Sequence, residues 1–194
     1  MRRICVFCGS AEGARPAYRD AARALGRELA TRGLGLVYGG GSVGLMGVLA
    51  DTVLAEGGEV IGVIPGPLAT RELAHTGLTE LRVVGSMHER KATMARLSDG
   101  FVALPGGLGT LEETLEVLTW TQLGIHRKPV GVLNVEGYWD GLERMLGHAV
   151  REGFVRAEYA SLLLVGRSAA ELLDRFAAWH APAVPRAWLD PSQT

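Results

Sequence analysis

Short apolar runs alternate with helix-period stretches along almost the whole chain. Ile4–Cys8, Leu34–Tyr38, Val60–Ile64, Leu81–Val84, Phe101–Leu104, Val130–Asn134 and Leu162–Val165 are each four or five residues long and mostly apolar. Runs of that length and content predict strands buried on both faces. Between them the apolar positions recur at helical spacing: Pro16–Thr31 (stopped by Gly33), a stretch ending near Glu56, Ser86–Leu97, Leu111 to about Leu123, Tyr138–Arg151 and Ala169–Trp179. Ser86-x-x-Glu89 adds a capping box at the start of the third helix. Leu68–Thr79 carries neither period and is expected to be irregular. Strands alternating with helices at this spacing imply a mostly parallel sheet covered on both sides. The fold class is therefore α/β, a single-domain Rossmann-like three-layer fold over residues 1–180. Residues 181–194, with three prolines, form a tail outside it.

In an open sheet of this kind, ligands lie beyond the carboxyl ends of the strands, where the strand order reverses. Three glycine turns fall at such ends: Gly9-Ser10, the run Gly39–Gly47, and Gly106–Gly109. They are expected to converge on one cleft. The third turn sits in Pro105-Gly106-Gly107-Leu108-Gly109-Thr110-Leu111-Glu112-Glu113, between a strand and a helix start. The first amides of a helix lack internal partners and carry the positive end of its dipole, so this turn is suited to a phosphate. Glu112 and Glu113 stand beside it and give the site an acid–base or electrostatic function as well. Placed in the first helical turn, both are expected to stay ionised. Thr110-x-x-Glu113 also reads as a capping box, so the pattern leaves a structural and a catalytic role open for Glu113.

Arg90 shares a helical stripe with Met87, Met94 and Leu97. An arginine in an apolar stripe either snorkels to the surface or points into a polar cleft. In a cleft, its guanidinium suits a phosphate or a ribose hydroxyl. Gly39-x-Gly41-x-x-Gly44 matches the dinucleotide fingerprint, and it also reads simply as a tight strand–helix turn. A dehydrogenase would place an acid at the end of the next strand, where this chain has Pro65-Gly66. That disfavours a nicotinamide oxidoreductase, and the lack of a G-K-[ST] run disfavours ATP hydrolysis.

Hydrophobic residues make up 47% of the 194 and the formal charge is −1, which argues for a folded domain and gives no electrostatic basis for binding nucleic acid or an anionic membrane. No apolar run approaches a membrane span, and the expected location is cytoplasmic. Cys5 and Cys8 have redox-motif spacing but lie along one strand, where residues three apart face opposite ways, so they are expected to be buried thiols. No metal site is expected.

Met87-His88-Glu89-Arg90-Lys91 followed by the Pro105–Glu113 segment resembles the LONELY GUY (LOG) family of cytokinin-activating phosphoribohydrolases. The resemblance extends from Cys8-Gly9-Ser10 through Gly39–Gly47 to Gly131–Asn134, nearly the whole chain. It implies hydrolysis of the N-glycosidic bond of N6-modified adenosine 5′-monophosphates to free base and ribose 5-phosphate, a homodimer, and no cofactor. It assigns catalysis to Arg90 and Glu113. It assigns substrate contacts to Ser10, Gly40, Gly41, Met46, Glu72, Arg90, Lys91, Gly106, Gly107, Leu108, Gly109, Thr110, Leu111 and Glu112. Many plant members have Tyr where this chain has Leu108, which leaves the preferred base open. The competing reading is a non-catalytic nucleotide-binding or carrier protein of the same fold. Trp120, Leu123 and Ile125 are candidates for a dimer contact or for ordinary core.

Overall fold

The computed structural model describes residues 1–69 and 74–181; Glu72 and the proline-containing tail beyond Ala181 lie outside the described residues. Seven strands form one sheet: β1 Arg3–Phe7, β2 Gly35–Tyr38, β3 Val60–Pro65, β4 Glu80–Val84, β5 Gly100–Ala103, β6 Val130–Leu133 and β7 Leu163–Gly166. Their order is β4-β3-β2-β1-β5-β6-β7 and every pairing is parallel. The expected α/β Rossmann-like sheet is thus observed. Its strand order reverses at β1, which pairs with β2 on one side and β5 on the other.

The pleat sorts the side chains of β1 into two cores. Ile4, Val6 and Cys8 face a layer built from α1 (Pro16–Thr31), α2 (Gly44–Ala55) and α8 (Ala169–Ala177), with Leu25, Leu49 and Phe176 among its contacts. Cys5 and Phe7 face a second cluster, where Met94 of α4 (Met87–Leu97) and Val117 of α5 (Leu108–Leu123) are buried, and Leu142 of α6 (Asp140–Arg151) packs against its edge. The two thiols are buried and free, on opposite faces as their spacing predicts. Burial, with Glu113 nearby, raises both pKa values, so neither is poised as a nucleophile.

Several boundaries differ from the sequence expectation. Gly66–Ala69 forms a short helix, α3, and Ala157–Ala160 another, α7; neither is long enough to show a period. The fifth long helix, α6, starts at Asp140 rather than Tyr138, because Val135–Gly137 makes a 3-10 turn first. Ser86 caps the helix as expected, its hydroxyl accepting from the Glu89 N–H at 3.1 Å, but Glu89 reaches back one residue further than in a capping box, to the Gly85 N–H at 2.7 Å. Trp120 packs against the second core cluster, and Leu123 and Ile125 are half-buried.

His126, on the connection from α5 to β6, has its ring centre 5.1 Å from that of Phe101, and its Nε2 is buried with no hydrogen-bond partner among the described residues. Burial, aided by the Lys128 charge, lowers its pKa from 6.5 to about 4. The unfolded chain therefore binds a proton that the folded protein refuses. The associated stability is complete above pH 6.5 and drains as the pH falls toward 4, by up to about 3 kcal/mol. Comparing Tm at pH 7.5 and pH 5 should show a smaller drop for His126→Gln than for the parent. Equal drops would mean that His126 is not the group responsible.

Candidate active site

The three glycine turns close on one another. The Gly9 N–H donates to the Pro105 carbonyl at 3.1 Å, and the Leu45 N–H donates to the Gly9 carbonyl at 3.0 Å. Gly44 makes that approach possible. Its φ is +62°, and a Cβ there would stand 2.3 Å from the Ser10 carbonyl carbon. The convergence lies at the carboxyl ends of β1, β2 and β5, the topological switch point.

Helix α5 opens directly from the third turn, with Gly107 as an extended N-cap and no side-chain cap. Thr110 is thus the third residue of the helix, not its cap, and the Thr110-x-x-Glu113 capping box does not form. Glu112 and Glu113 fall in the second turn, beyond most of the reach of the dipole, which corrects their expected placement. The amides of Gly107, Leu108, Gly109 and Thr110 meet no acceptor among the described residues. That is a row of open donors at a helix start.

A cavity of about 270 Å³ lies in front of them. Ser10, Met46, Arg90, Gly107, Leu108, Gly109, Thr110, Glu112 and Glu113 all line it. Leu108 stands at its mouth, 85% exposed. The remaining sequence-predicted residues lie elsewhere. Gly106 faces an adjoining hollow, and Leu111 packs toward the second core cluster. The Gly40 carbonyl accepts from the His75 N–H, and Gly41 bridges to Ala74, so neither reaches the cavity wall. Lys91 also stays off that wall, between Glu112 at 2.5 Å and Glu116 at 2.9 Å. Burial works against its ammonium, but those two carboxylates outweigh burial and hold its pKa above the usual value.

Gly39, in the run expected to face the cleft, lines the wall, as do Met87 and Met94, which sequence reasoning did not place there. The two methionines were legible, since they share a helical stripe with Arg90. Arg90 does not snorkel. Its Nε donates to the Val63 carbonyl at 3.1 Å and its Nη1 to Glu113 Oε1 at 2.9 Å. Gly39 leaves room for the guanidinium, because a Cβ there would sit 2.1 Å from Nη2. Displacing the guanidinium would break the buried pair with Glu113, so Gly39→Ala should lower Tm by several degrees and reduce turnover by roughly tenfold or more. Turnover at the parent's level would show that Arg90 need not hold this position.

Glu113 is 8% exposed, and its Oε2 has no hydrogen-bond partner among the described residues. Burial raises its pKa, while Arg90 pulls the other way. The earlier expectation of a dipole-held anion is therefore corrected. Arg90, not the helix end, supports the ionised form. Buried and oriented by a guanidinium, this carboxylate has the setting of a general base or of a charge stabiliser beside a bound anion.

A parallel doubly wound sheet with these groups at its switch point defines a Rossmann-like α/β protein with a candidate anion-binding cleft. A family model described as "Possible lysine decarboxylase" matches residues 46–176. The chain is 54% identical over 173 residues to the cytokinin riboside 5′-monophosphate phosphoribohydrolase LOG of Oryza sativa subsp. japonica, covering 89% of this chain and 72% of that one. It is 52% identical over 183 residues to the cytokinin riboside 5′-monophosphate phosphoribohydrolase LOG3 of Arabidopsis thaliana, covering 93% of this chain and 85% of that one. The chain belongs to the LONELY GUY (LOG) family. Among solved structures, it resembles the molybdenum cofactor carrier protein of Chlamydomonas reinhardtii in fold, with a TM-score of 0.68 at 24% identity, covering 92% of this chain and 99% of that one.

The residues do not fit the pyridoxal chemistry that the family model's description implies. The sequence holds two lysines, Lys91 and Lys128. The first is engaged by two carboxylates, and the second donates to the Ala95 carbonyl at 2.7 Å, away from the cleft. Neither amine is offered to a carbonyl ligand there.

Proposed function

We propose that this protein hydrolyses the N-glycosidic bond of adenosine 5′-monophosphates, N6-modified ones included, and releases the free base and ribose 5-phosphate. The observation that carries this reading is the buried Arg90–Glu113 pair set beside the open amides of Gly107–Thr110. The amides take the phosphate, as a helix start does for anions generally. This places C1′ of the ribose toward the paired side chains. As the C1′–N9 bond lengthens, positive charge builds on the ribose ring. Glu113 stabilises that charge and removes the proton from the attacking water through its free Oε2. The water oxygen bonds to C1′, the bonding electrons leave with N9, and the departing base takes up a proton from solvent while Glu113 later gives its own back. Arg90 orients Glu113 through Oε1 and contributes fixed positive charge; it is not a proton donor.

The same reading gives Ser10, Met46, Leu108, Gly109 and Glu112 contacts with the nucleotide. Lys91 acts behind them, through its ion pair with Glu112. Homodimerisation and a cytoplasmic location belong to the proposal too. The described residues include no helix long and apolar enough to cross a membrane. Light scattering reads the oligomeric state.

The test is incubation with AMP and with N6-isopentenyladenosine monophosphate, followed by separation of products. Free base with an equal amount of ribose 5-phosphate is expected. Nucleotide recovered intact from folded protein would overturn the reading and favour a carrier.

A further inference from the structure

On the other side of the phosphate-binding turn, away from Glu113, a hollow of about 230 Å³ is walled by Tyr18, Tyr138 and the backbone of Gly9–Gly13 and Pro105–Gly107. Tyr138 donates its hydroxyl hydrogen to the Gly106 carbonyl, 32 residues away in the chain. No cleft chemistry described above uses that bond.

The segment that brings Tyr138 there is unusual. Glu136 has φ +48° and is the one described non-glycine residue with positive φ, and Gly137 follows at +75°. A left-handed glutamate is costly and persists only where its surroundings hold it. Here they do. Arg15 pairs with Glu136 at 2.7 Å, and Asn134 Oδ1 accepts from the Trp139 N–H at 2.9 Å. Trp139 itself is fully buried, and the Tyr18 ring meets Tyr138 edge-on at 5.8 Å. Strain, an ion pair and a buried anchor thus combine to aim one hydroxyl at one carbonyl.

That carbonyl belongs to the peptide joining Gly106 to Gly107. The peptide is trans, so its C=O and the Gly107 N–H point in opposite directions. Gly106 lines only the outer hollow, whereas Gly107 lines both hollow and cleft. Between two glycines, a peptide plane has little steric resistance to rotation.

We propose that Tyr138 is a positioning residue for the phosphate. It holds the Gly106–Gly107 peptide in the one orientation that presents the Gly107 amide to the cleft. The inference rests on the reading of the Gly107–Thr110 amides as the phosphate site. It extends that reading to a residue outside the cleft, carried by a separate element. Glu136 and Arg15 act one step further back, by fixing the turn that carries the ring.

Tyr138→Phe removes the hydroxyl and keeps the ring against Tyr18. The expected result is a KM for AMP raised about tenfold or more, the worth of one hydrogen bond to an anion. kcat should stay within about twofold and Tm within about 2 °C. Calorimetric titration with ribose 5-phosphate should show the same loss of affinity, while affinity for adenosine, which lacks the phosphate, should not change. A purely structural role would instead lower Tm, or weaken adenosine and ribose 5-phosphate alike; either result overturns the proposal, as does an unchanged ribose 5-phosphate affinity. The titration does not depend on turnover. A protein that binds ribose 5-phosphate through Tyr138 but releases no base would fail as an enzyme and still uphold this inference.

Discussion

Glu113→Gln should lower kcat at least about a hundredfold while the protein stays folded. Glutamine keeps an oxygen for Arg90 Nη1 to donate to, so the bond measured at 2.9 Å retains an acceptor. On the proposed mechanism, what is lost is the negative charge that faces the ribose and the ability to take a proton from water. The guanidinium remains bonded to the Val63 carbonyl and open to the cleft on one side. It is not left as a sealed, unpaired charge, so the drop in Tm should be only a few degrees. Because burial raises the Glu113 pKa, the parent's rate should fall on the acid side from a pH above the ordinary carboxylate range. In the variant that limb should vanish. A variant turning over at close to the parent rate would remove Glu113 from the chemistry, whatever its stability.

The largest loss of stability is expected from Gly44→Ala. The added methyl group would sit 2.3 Å from the Ser10 carbonyl carbon and 2.5 Å from the Ala11 nitrogen, which are backbone atoms and cannot swing aside. The residue would also have to hold φ at +62°. Left-handed backbone alone costs about 1 kcal/mol for alanine, and the clash should bring the total to about 3 kcal/mol or more. For a domain of this size that is a fall in Tm of roughly 6–12 °C. Gly57 separates the two contributions. It has φ +77° with nothing within 4 Å of its missing Cβ, so Gly57→Ala should cost only the conformational part. Equal Tm values for the two variants would show that the turns do not press on one another as described.

The strands and their order of burial were legible because both faces of the sheet are covered, which leaves runs such as Ile4–Cys8 almost free of polar residues. The convergence of three turns was legible for the same reason, since glycine marks each strand end. The capping of α5 was not. Thr110-x-x-Glu113 satisfies the box pattern, yet the helix begins three residues earlier, because Gly107 can adopt the extended cap and Glu113 has a stronger partner in Arg90. Pair chemistry across the sheet overrode a local signal. The glycine run after β2 misled in a similar way. Gly40 and Gly41 hold the His75 segment and Gly44 holds Ser10, while Gly39 alone touches the guanidinium. Tyr138 had no signal at all, because nothing in Val135-Glu136-Gly137 announces a left-handed glutamate.

The placement of β1 has one more consequence. It comes first of the seven strands in chain order and lies at the centre of the sheet, and its register with β5 joins Ile4 to Gly100 and Phe7 to Ala103. A nascent chain that has not yet delivered β5 and α5 has half a sheet, no anion cradle and no Glu113. On the proposed reading of the cleft, nucleotide therefore cannot template the early half of folding. Whatever protection it gives must come afterwards, as resistance of the finished molecule to parting along the seam between β1 and β5.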